Sequence, residues 1–247
     1  MHSLPLFEGS ASLRTPLTKQ RDSIVEYLVT NAAALNLTEG FNFVAHSQGA
    51  LLTRAVIQAL PESLRVINYV SMAGPQLGQW GMCVMNKNVL NSTIVKSMTR
   101  TAGWLAFYNP IAQREISVAN YWNDPNHQWS DKEFNHFLPE VNNLVSHPRS
   151  DEFKKNFLRL KRAAFFGSSG DNCINPQLSS VFQFLDKNEK PVAMRQSEVY
   201  VRDTFGLATL DKRGGLVIKA PAGYDHMSWY SDPRLFADYV APLLADW

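Results

Sequence analysis

The run Phe43-Val44-Ala45-His46-Ser47-Gln48-Gly49-Ala50 carries the strongest chemical signal in the chain. A serine hydroxyl is a poor nucleophile at neutral pH, so it needs a base within hydrogen-bond reach and an acid to orient that base. Ser47 stands between a short apolar strand, Phe41 to Ala45, and a helix expected from Gln48 to Leu60, where Pro61 ends it. A sharp strand-to-helix turn is what lifts a serine oxygen clear of a sheet. Such a turn is expected to crowd the residues two before and two after the serine. Here they are Ala45, where glycine is usual, and Gly49. The blander reading of Ser47 is a helix-capping serine that bonds first-turn amides and does nothing else.

In strand–turn–helix hydrolases the chain order is serine, acid, histidine. His226, the only histidine after position 147, lies in Gly223-Tyr224-Asp225-His226-Met227, just past a strand ending near Lys219. That loop is where a base is expected. Asp171 follows the strand Ala163 to Phe166 and the turn Gly167 to Gly170, which puts its carboxylate at the same carboxyl edge of the sheet as Ser47. Asp225 is adjacent to His226, and neighbouring side chains diverge. Asp203 reads better as a helix cap. His2, His127, His136 and His147 show no metal spacing, and the glycines at 167 and 170 match neither a P-loop nor a dinucleotide fingerprint. No metal and no cofactor is inferred.

The elements that must position these residues alternate. Thr15-Pro16 suggests a capped helix start, and Leu17, Ile24, Leu28, Ala32 and Leu35 share one helical face. The strand before Ser47 and its helix come next, then a β-branched strand Val66 to Val70. From Gly74 to about Asn156 the rhythm stops in favour of Trp, Met, Tyr, Asn and Pro, which reads as a helical insertion. Leu158 to Phe166 restores a strand. Glu198 to Val201 and Gly215 to Lys219 are further strand candidates, and Asp232 to Leu244 is a closing helix. This order argues for an α/β fold, a mostly parallel sheet with helices on both faces. The 247 residues suit one such domain, since single α/β domains often run to about 250 residues.

Composition excludes little else. A formal net charge of +2 with scattered basic residues argues against a nucleic-acid partner. No run of about 18 apolar residues marks a transmembrane segment. The first residues, Met1 to Phe7, lack the pattern of a signal peptide, so this reading alone keeps the chain in the cytosol. Two sequons, Asn36-Leu37-Thr38 and Asn91-Ser92-Thr93, point instead to a secretory history. Cys83 and Cys173 could pair once or both stay free.

Further landmarks narrow the class. Ala45 to Gly49 is followed by Ser71-Met72-Ala73-Gly74-Pro75-Gln76-Leu77-Gly78, Asn120-Tyr121-Trp122-Asn123-Asp124-Pro125, Phe137 to Asn143, Lys155-Asn156-Phe157, Gly170-Asp171-Asn172-Cys173-Ile174-Asn175-Pro176 and Val199 to Leu207. In this succession nearly the whole chain resembles the palmitoyl-protein thioesterases, most of all their second, lysosomal branch. The resemblance implies an α/β-hydrolase fold with Ser47 as nucleophile, Asp171 as orienting acid, His226 as base and the Gln48 N–H as an oxyanion donor. It implies acyl thioesters as substrates, from S-acylated proteins or acyl-CoA, and a soluble, glycosylated, lysosomal protein. Residues 75–156 would form an acyl-groove insertion, with Met82, Trp104, Phe107 and Tyr108 as wall residues.

One departure stands beside the match. The family's first strand ends in a His-Gly loop that supplies a second oxyanion donor, and no such loop precedes Ser47. The first strands are therefore expected to be missing, with the chain starting near a strand at Leu4 to Phe7. Losing an oxyanion donor costs about 100- to 1,000-fold in rate. Two alternatives stay open: a hydrolase of lipid carboxyl esters, and a catalytically impaired acyl-binding fragment.

Overall fold

The computed structural model describes residues 2–81, 83 and 102–245. Runs of β-branched, aromatic and small residues supply the strands β1 (Phe41–His46), β2 (Val66–Met72) and β3 (Arg162–Phe166), a short antiparallel ribbon β4 (Phe184–Leu185) with β5 (Pro191–Val192), and β6 (Leu216–Lys219). The main sheet runs β1-β2-β3-β6 and every pairing in it is parallel. Successive residues of a strand face opposite sides. Tyr69, Ala163 and Phe165 enter the larger core, while Val70, Met72, Ala164 and Phe166 enter the smaller one. A parallel sheet buried on both faces explains why these strands read as continuous apolar runs.

The larger core is closed by α1 (Leu17–Thr30), α2 (Gln48–Ala59) and α3 (Ser150–Leu158), with α2 packed between the other two. Further along lies α4 (Leu207–Lys212). The smaller core is closed by Trp229, Leu235 and Val240 from the C-terminal helical turns. The closing helix expected from Asp232 is broken into turns at Pro233–Leu235, a π-helical stretch at Phe236–Val240 and a final turn at Ala241–Ala245.

Three expectations are corrected. Leu4 to Phe7 is not a strand: Pro5 has no N–H to give a ladder, and Leu4, Leu6 and Phe7 rest on the core as irregular chain. Glu198 to Val201 is a helical turn. In a strand Val199 and Val201 would share a face, yet Val199 is buried and Val201 is 68% exposed. The start of α1 is not capped by Thr15; Pro16 holds the cap position, and the Leu17 N–H donates to Asn120 Oδ1 at 2.7 Å.

Between β2 and β3 the chain is helical in pieces, over 102–107, Pro110–Glu115, Gln128–Phe134 and Leu138–Val141, before α3. The Asn120-to-Pro125 motif ties these pieces to α1 and to the chain just after β2. Asn120 caps α1, Asn123 donates to the Leu77 carbonyl at 2.7 Å, and Trp122 is fully buried. Cys83 and Cys173 are joined by a disulfide, which settles the pairing left open above and fastens the entrance of this region to the loop after β3.

Asp131 sits in the same region, and among the described residues no basic side chain lies in hydrogen-bond reach of it. Asn135 donates to its Oδ1 at 2.9 Å, the Tyr108 hydroxyl lies against it, and Asp124 and Lys132 are the nearest other charges. Burial pushes its carboxyl up to about 7, opposed by the bonds from Asn135 and Tyr108 and by Lys132. The folded chain thus keeps a proton that the unfolded chain releases near pH 4, so stability falls as pH rises between about 4 and 7 and levels off above. The expected loss is on the order of a few kcal/mol. Thermal melts at pH 5 and pH 8 should show it, and Asp131→Asn should flatten the difference. A wild-type slope that survives in Asp131→Asn would place the titrating group elsewhere.

Candidate active site

β1 delivers Ser47 at its carboxyl end. The residue adopts φ 55° and ψ −137°, a left-handed backbone that costs a non-glycine residue energy and marks a strained turn. The turn is held by the Ser47 N–H donating to the Met72 carbonyl at 2.9 Å and by the Ala50 N–H donating to the Ser47 carbonyl at 2.9 Å. No side-chain capping bond from Ser47 to α2 exists, which removes the capping-serine reading. The expected crowding at Gly49 is not found, since a Cβ there would meet nothing within 4 Å. The tight position is Gly74, where a Cβ would come within 2.7 Å of the Ala50 Cβ.

The Ser47 Oγ lies 2.8 Å from His226 Nε2, and His226 Nδ1 lies 3.0 Å from Asp171 Oδ2. Side chains from positions 47, 171 and 226 are thereby joined in one hydrogen-bonded chain. Asp171 and His226 are both buried. The second carboxylate oxygen, Oδ1, accepts the Cys173 and Ile174 N–H groups, each at 2.8 Å. These bonds fix the carboxylate and leave Oδ2 for the imidazole. A carboxylate only accepts, so Nδ1 carries the hydrogen and Nε2 is free to accept from the Ser47 hydroxyl.

The loops carrying the acid and the base are fastened to each other. Ser168, fully buried after β3, accepts the Gly170 N–H at 3.0 Å and the Tyr224 N–H at 3.1 Å through Oγ. A Cβ on Gly170 would sit 2.9 Å from the Tyr224 carbonyl oxygen, so only glycine allows this approach. Asp225 and Asp203 lie outside the chain of bonds: Asp225 bonds Ser228, and Asp203 accepts the Ala208 and Thr209 N–H groups at the head of α4.

Single-sequence reasoning passed over His46, Ser168 and Asn172. The His46 ring lies tilted against the His226 ring, centroids 4.7 Å apart, and is pushed below its ordinary pKa, chiefly by burial and further by His226, against the bond to the His226 carbonyl and the Asp171 charge. His46 stood inside the serine motif, yet nothing in a sequence names a partner 180 positions away.

The Gln48 N–H heads the first turn of α2 and so has no partner within the helix. Its side chain is turned away: Nε2 donates to the Ser12 carbonyl at 3.0 Å and Oε1 accepts from the Ser117 hydroxyl at 2.7 Å. The expected wall residues pack inside the insertion. Trp104 stacks on His127 at 4.5 Å, Phe107 packs tilted against Trp122 at 4.5 Å, and the Tyr108 hydroxyl accepts the Asp124 N–H at 2.9 Å. Met82 lies outside the described residues.

A parallel sheet with helices on both faces, and a serine on the turn that joins a strand to the following helix, define an α/β-hydrolase. The model of the family described as palmitoyl protein thioesterase matches residues 5–226. The chain is 36% identical over 242 residues to the bovine lysosomal thioesterase PPT2, covering 98% of this chain and 76% of that protein. It is 34% identical to the human lysosomal thioesterase PPT2, covering 98% and 77%. It is 30% identical to the Drosophila melanogaster lysosomal thioesterase PPT2 homolog, covering 96% and 79%. The chain belongs to the palmitoyl-protein thioesterase family, on the branch of these lysosomal proteins. It is a thioesterase-like hydrolase, and on this kinship it is lysosomal, in place of the cytosolic destination read from its first residues. Among the described residues, no helix is long and apolar enough to cross a membrane.

Proposed function

We propose that the chain hydrolyses long-chain acyl thioesters, palmitoyl-cysteine in proteins or palmitoyl-CoA, through an acyl-enzyme on Ser47. The observation that carries this is the hydrogen-bonded chain Ser47–His226–Asp171 in a member of a thioesterase family. Ser47 Oγ attacks the thioester carbonyl carbon while His226 Nε2 takes its proton. Asp171 holds the imidazole and balances the imidazolium that forms. The tetrahedral oxyanion is met by the free N–H of Gln48 at the head of α2. The C–S bond then breaks, and His226 returns the proton to the departing thiolate. Water, deprotonated by His226, attacks the acyl-serine and releases the fatty acid. The acyl chain is taken by the insertion at 75–156, with the half-buried rings of Trp104 and Phe107 as its contacts there. The lower stability that Asp131 imposes above pH 7 suits a protein working in an acidic compartment.

The test is hydrolysis of palmitoyl-CoA, an S-palmitoyl peptide and p-nitrophenyl palmitate by the purified chain, with Ser47→Ala as control. Higher kcat/KM on the thioesters, lost in the control, is the expected result. A preference for the oxygen ester would reassign the chain to lipid esters. Acyl-CoA binding without turnover would reduce it to an acyl-binding protein.

A further inference from the structure

His226 is held by its main chain as well as by its ring. Its carbonyl oxygen lies 2.9 Å from His46 Nε2, and its N–H donates to Asn172 Oδ1 at 3.2 Å. His46 is the residue just before Ser47, and Asn172 the residue just after Asp171. A carbonyl can only accept, so His46 carries its hydrogen on Nε2 and donates it. Side chains beside the nucleophile and beside the acid thus clamp the backbone of the base from both sides. The imidazole of His226 can stay in line with Ser47 Oγ and Asp171 Oδ2 only while its Cα stays put. Its loop contains Gly223 at φ +87° and no regular structure before the turn at Ser228–Ser231. The two ring bonds orient the imidazole, but they do not fix the loop from which it hangs.

We propose that His46 and Asn172 are positioning residues for His226, one fastening the base loop to the nucleophile turn and the other to the acid loop. This rests on the reading of Ser47, His226 and Asp171 as the reacting groups. Each side chain bonds the His226 main chain and none of the reacting atoms of Ser47, His226 or Asp171. Both act by keeping the base within the half-ångström tolerance that such sites need, since about 1 Å of misplacement costs on the order of 100-fold in rate.

The test separates the hydrogen bond from the ring. His46→Phe keeps a ring beside His226 and Tyr230 but removes the donor. His46→Gln restores a donor at the place of Nε2. For palmitoyl-CoA, His46→Phe is expected to lower kcat about tenfold at unchanged KM, and His46→Gln to stay within about threefold of wild type. Asn172→Ala should lower kcat less, because its bond is longer and the residue lies at the surface. A His46→Phe protein with wild-type kcat overturns the proposal, and so does a His46→Gln protein as slow as His46→Phe. A second readout does not depend on turnover: the low-field proton resonance of His226 Nδ1–H. It should be sharp in wild type and His46→Gln and broadened by exchange in His46→Phe. If wild type shows that resonance but no hydrolysis, the functional reading fails while the clamp is still judged. An identical resonance in all three proteins overturns the clamp.

Discussion

Asn in place of Asp171 is expected to lower kcat for palmitoyl-CoA about 10,000-fold while leaving KM and the fold nearly unchanged. The reason lies in the two oxygens of the carboxylate. Oδ1 already accepts the N–H groups of Cys173 and Ile174. An asparagine must place its carbonyl oxygen there, because an amide NH2 facing two N–H donors would clash. Its NH2 then faces His226 Nδ1, which must switch to accepting. The imidazole hydrogen moves to Nε2, the atom 2.8 Å from the Ser47 Oγ. A base protonated on that nitrogen cannot take the serine proton. Ser47→Ala should remove turnover outright, and the double variant should be no slower than Ser47→Ala, since groups acting as one unit are not additive. Steady-state kinetics of the three variants on one substrate checks this. An Asp171→Asn enzyme within about tenfold of wild type would show that the orientation of His226 is set elsewhere.

Three positions that the structure joins by hydrogen bonds, and most of the order of strands and helices, could be picked out from residue types because each obeys a local rule. Ser47 follows an apolar run and precedes an amphipathic one; Asp171 follows a strand and a glycine turn; His226 stands alone late in the chain. Rules of that kind cannot reach contacts made across the fold. Asn120 capping α1, Ser168 bridging two loops, and His46 bonding the His226 carbonyl all join residues 56 to 180 positions apart. Local patterns also misled. Glu198 to Val201 is β-branched enough for a strand, but an isolated turn beside Gly206 and α4 offers no neighbouring strand to pair with. Thr15-Pro16 looks like a cap followed by a first-turn proline, yet the proline itself takes the cap position and the amide after it is met from the insertion. Gly49, expected to be demanded by crowding, has open space, whereas Gly74, two residues past the end of β2, has no room for a Cβ beside Ala50.

Arg54→Met is expected to be the most damaging single change for stability, by about 3–5 kcal/mol. Arg54 lies on α2, seven residues beyond Ser47, and is fully buried, with no carboxylate among its hydrogen-bond partners in the described residues. Its Nε donates to Gln76 Oε1 at 2.7 Å, and its terminal nitrogens donate to the carbonyls of Gln76 at 3.0 Å and Val141 at 3.2 Å and to Asn142 Oδ1 at 2.8 Å. The guanidinium also lies over the Phe205 ring at 4.6 Å. Burial pulls its pKa down to about 9, with the Tyr69 hydroxyl acting in the opposite sense, so the charge persists at neutral pH. Replacing a buried charge with an apolar chain is harmless when its partner goes too. Here the Gln76 carbonyl and the side-chain amide oxygens of Gln76 and Asn142 stay behind, buried and unpaired, at about 1–3 kcal/mol each before relaxation, while the Val141 carbonyl keeps its bond from Gln58. Arg54→Lys should recover only part of the loss, because an ammonium cannot reproduce the planar fork or the stack on Phe205. Urea denaturation at fixed pH measures all three proteins, and in a thermal melt the Met variant should unfold roughly 10 °C lower. The same network reaches the site: Gln76 donates to Ser71 Oγ at 2.9 Å, and Tyr69 donates to the Ala50 carbonyl, one turn of helix from Ser47. If Arg54→Met matches wild type in urea, the guanidinium's desolvation cancels its four bonds, and the pinning of α2 to the insertion comes from apolar packing and the Gln58 bond to the Val141 carbonyl.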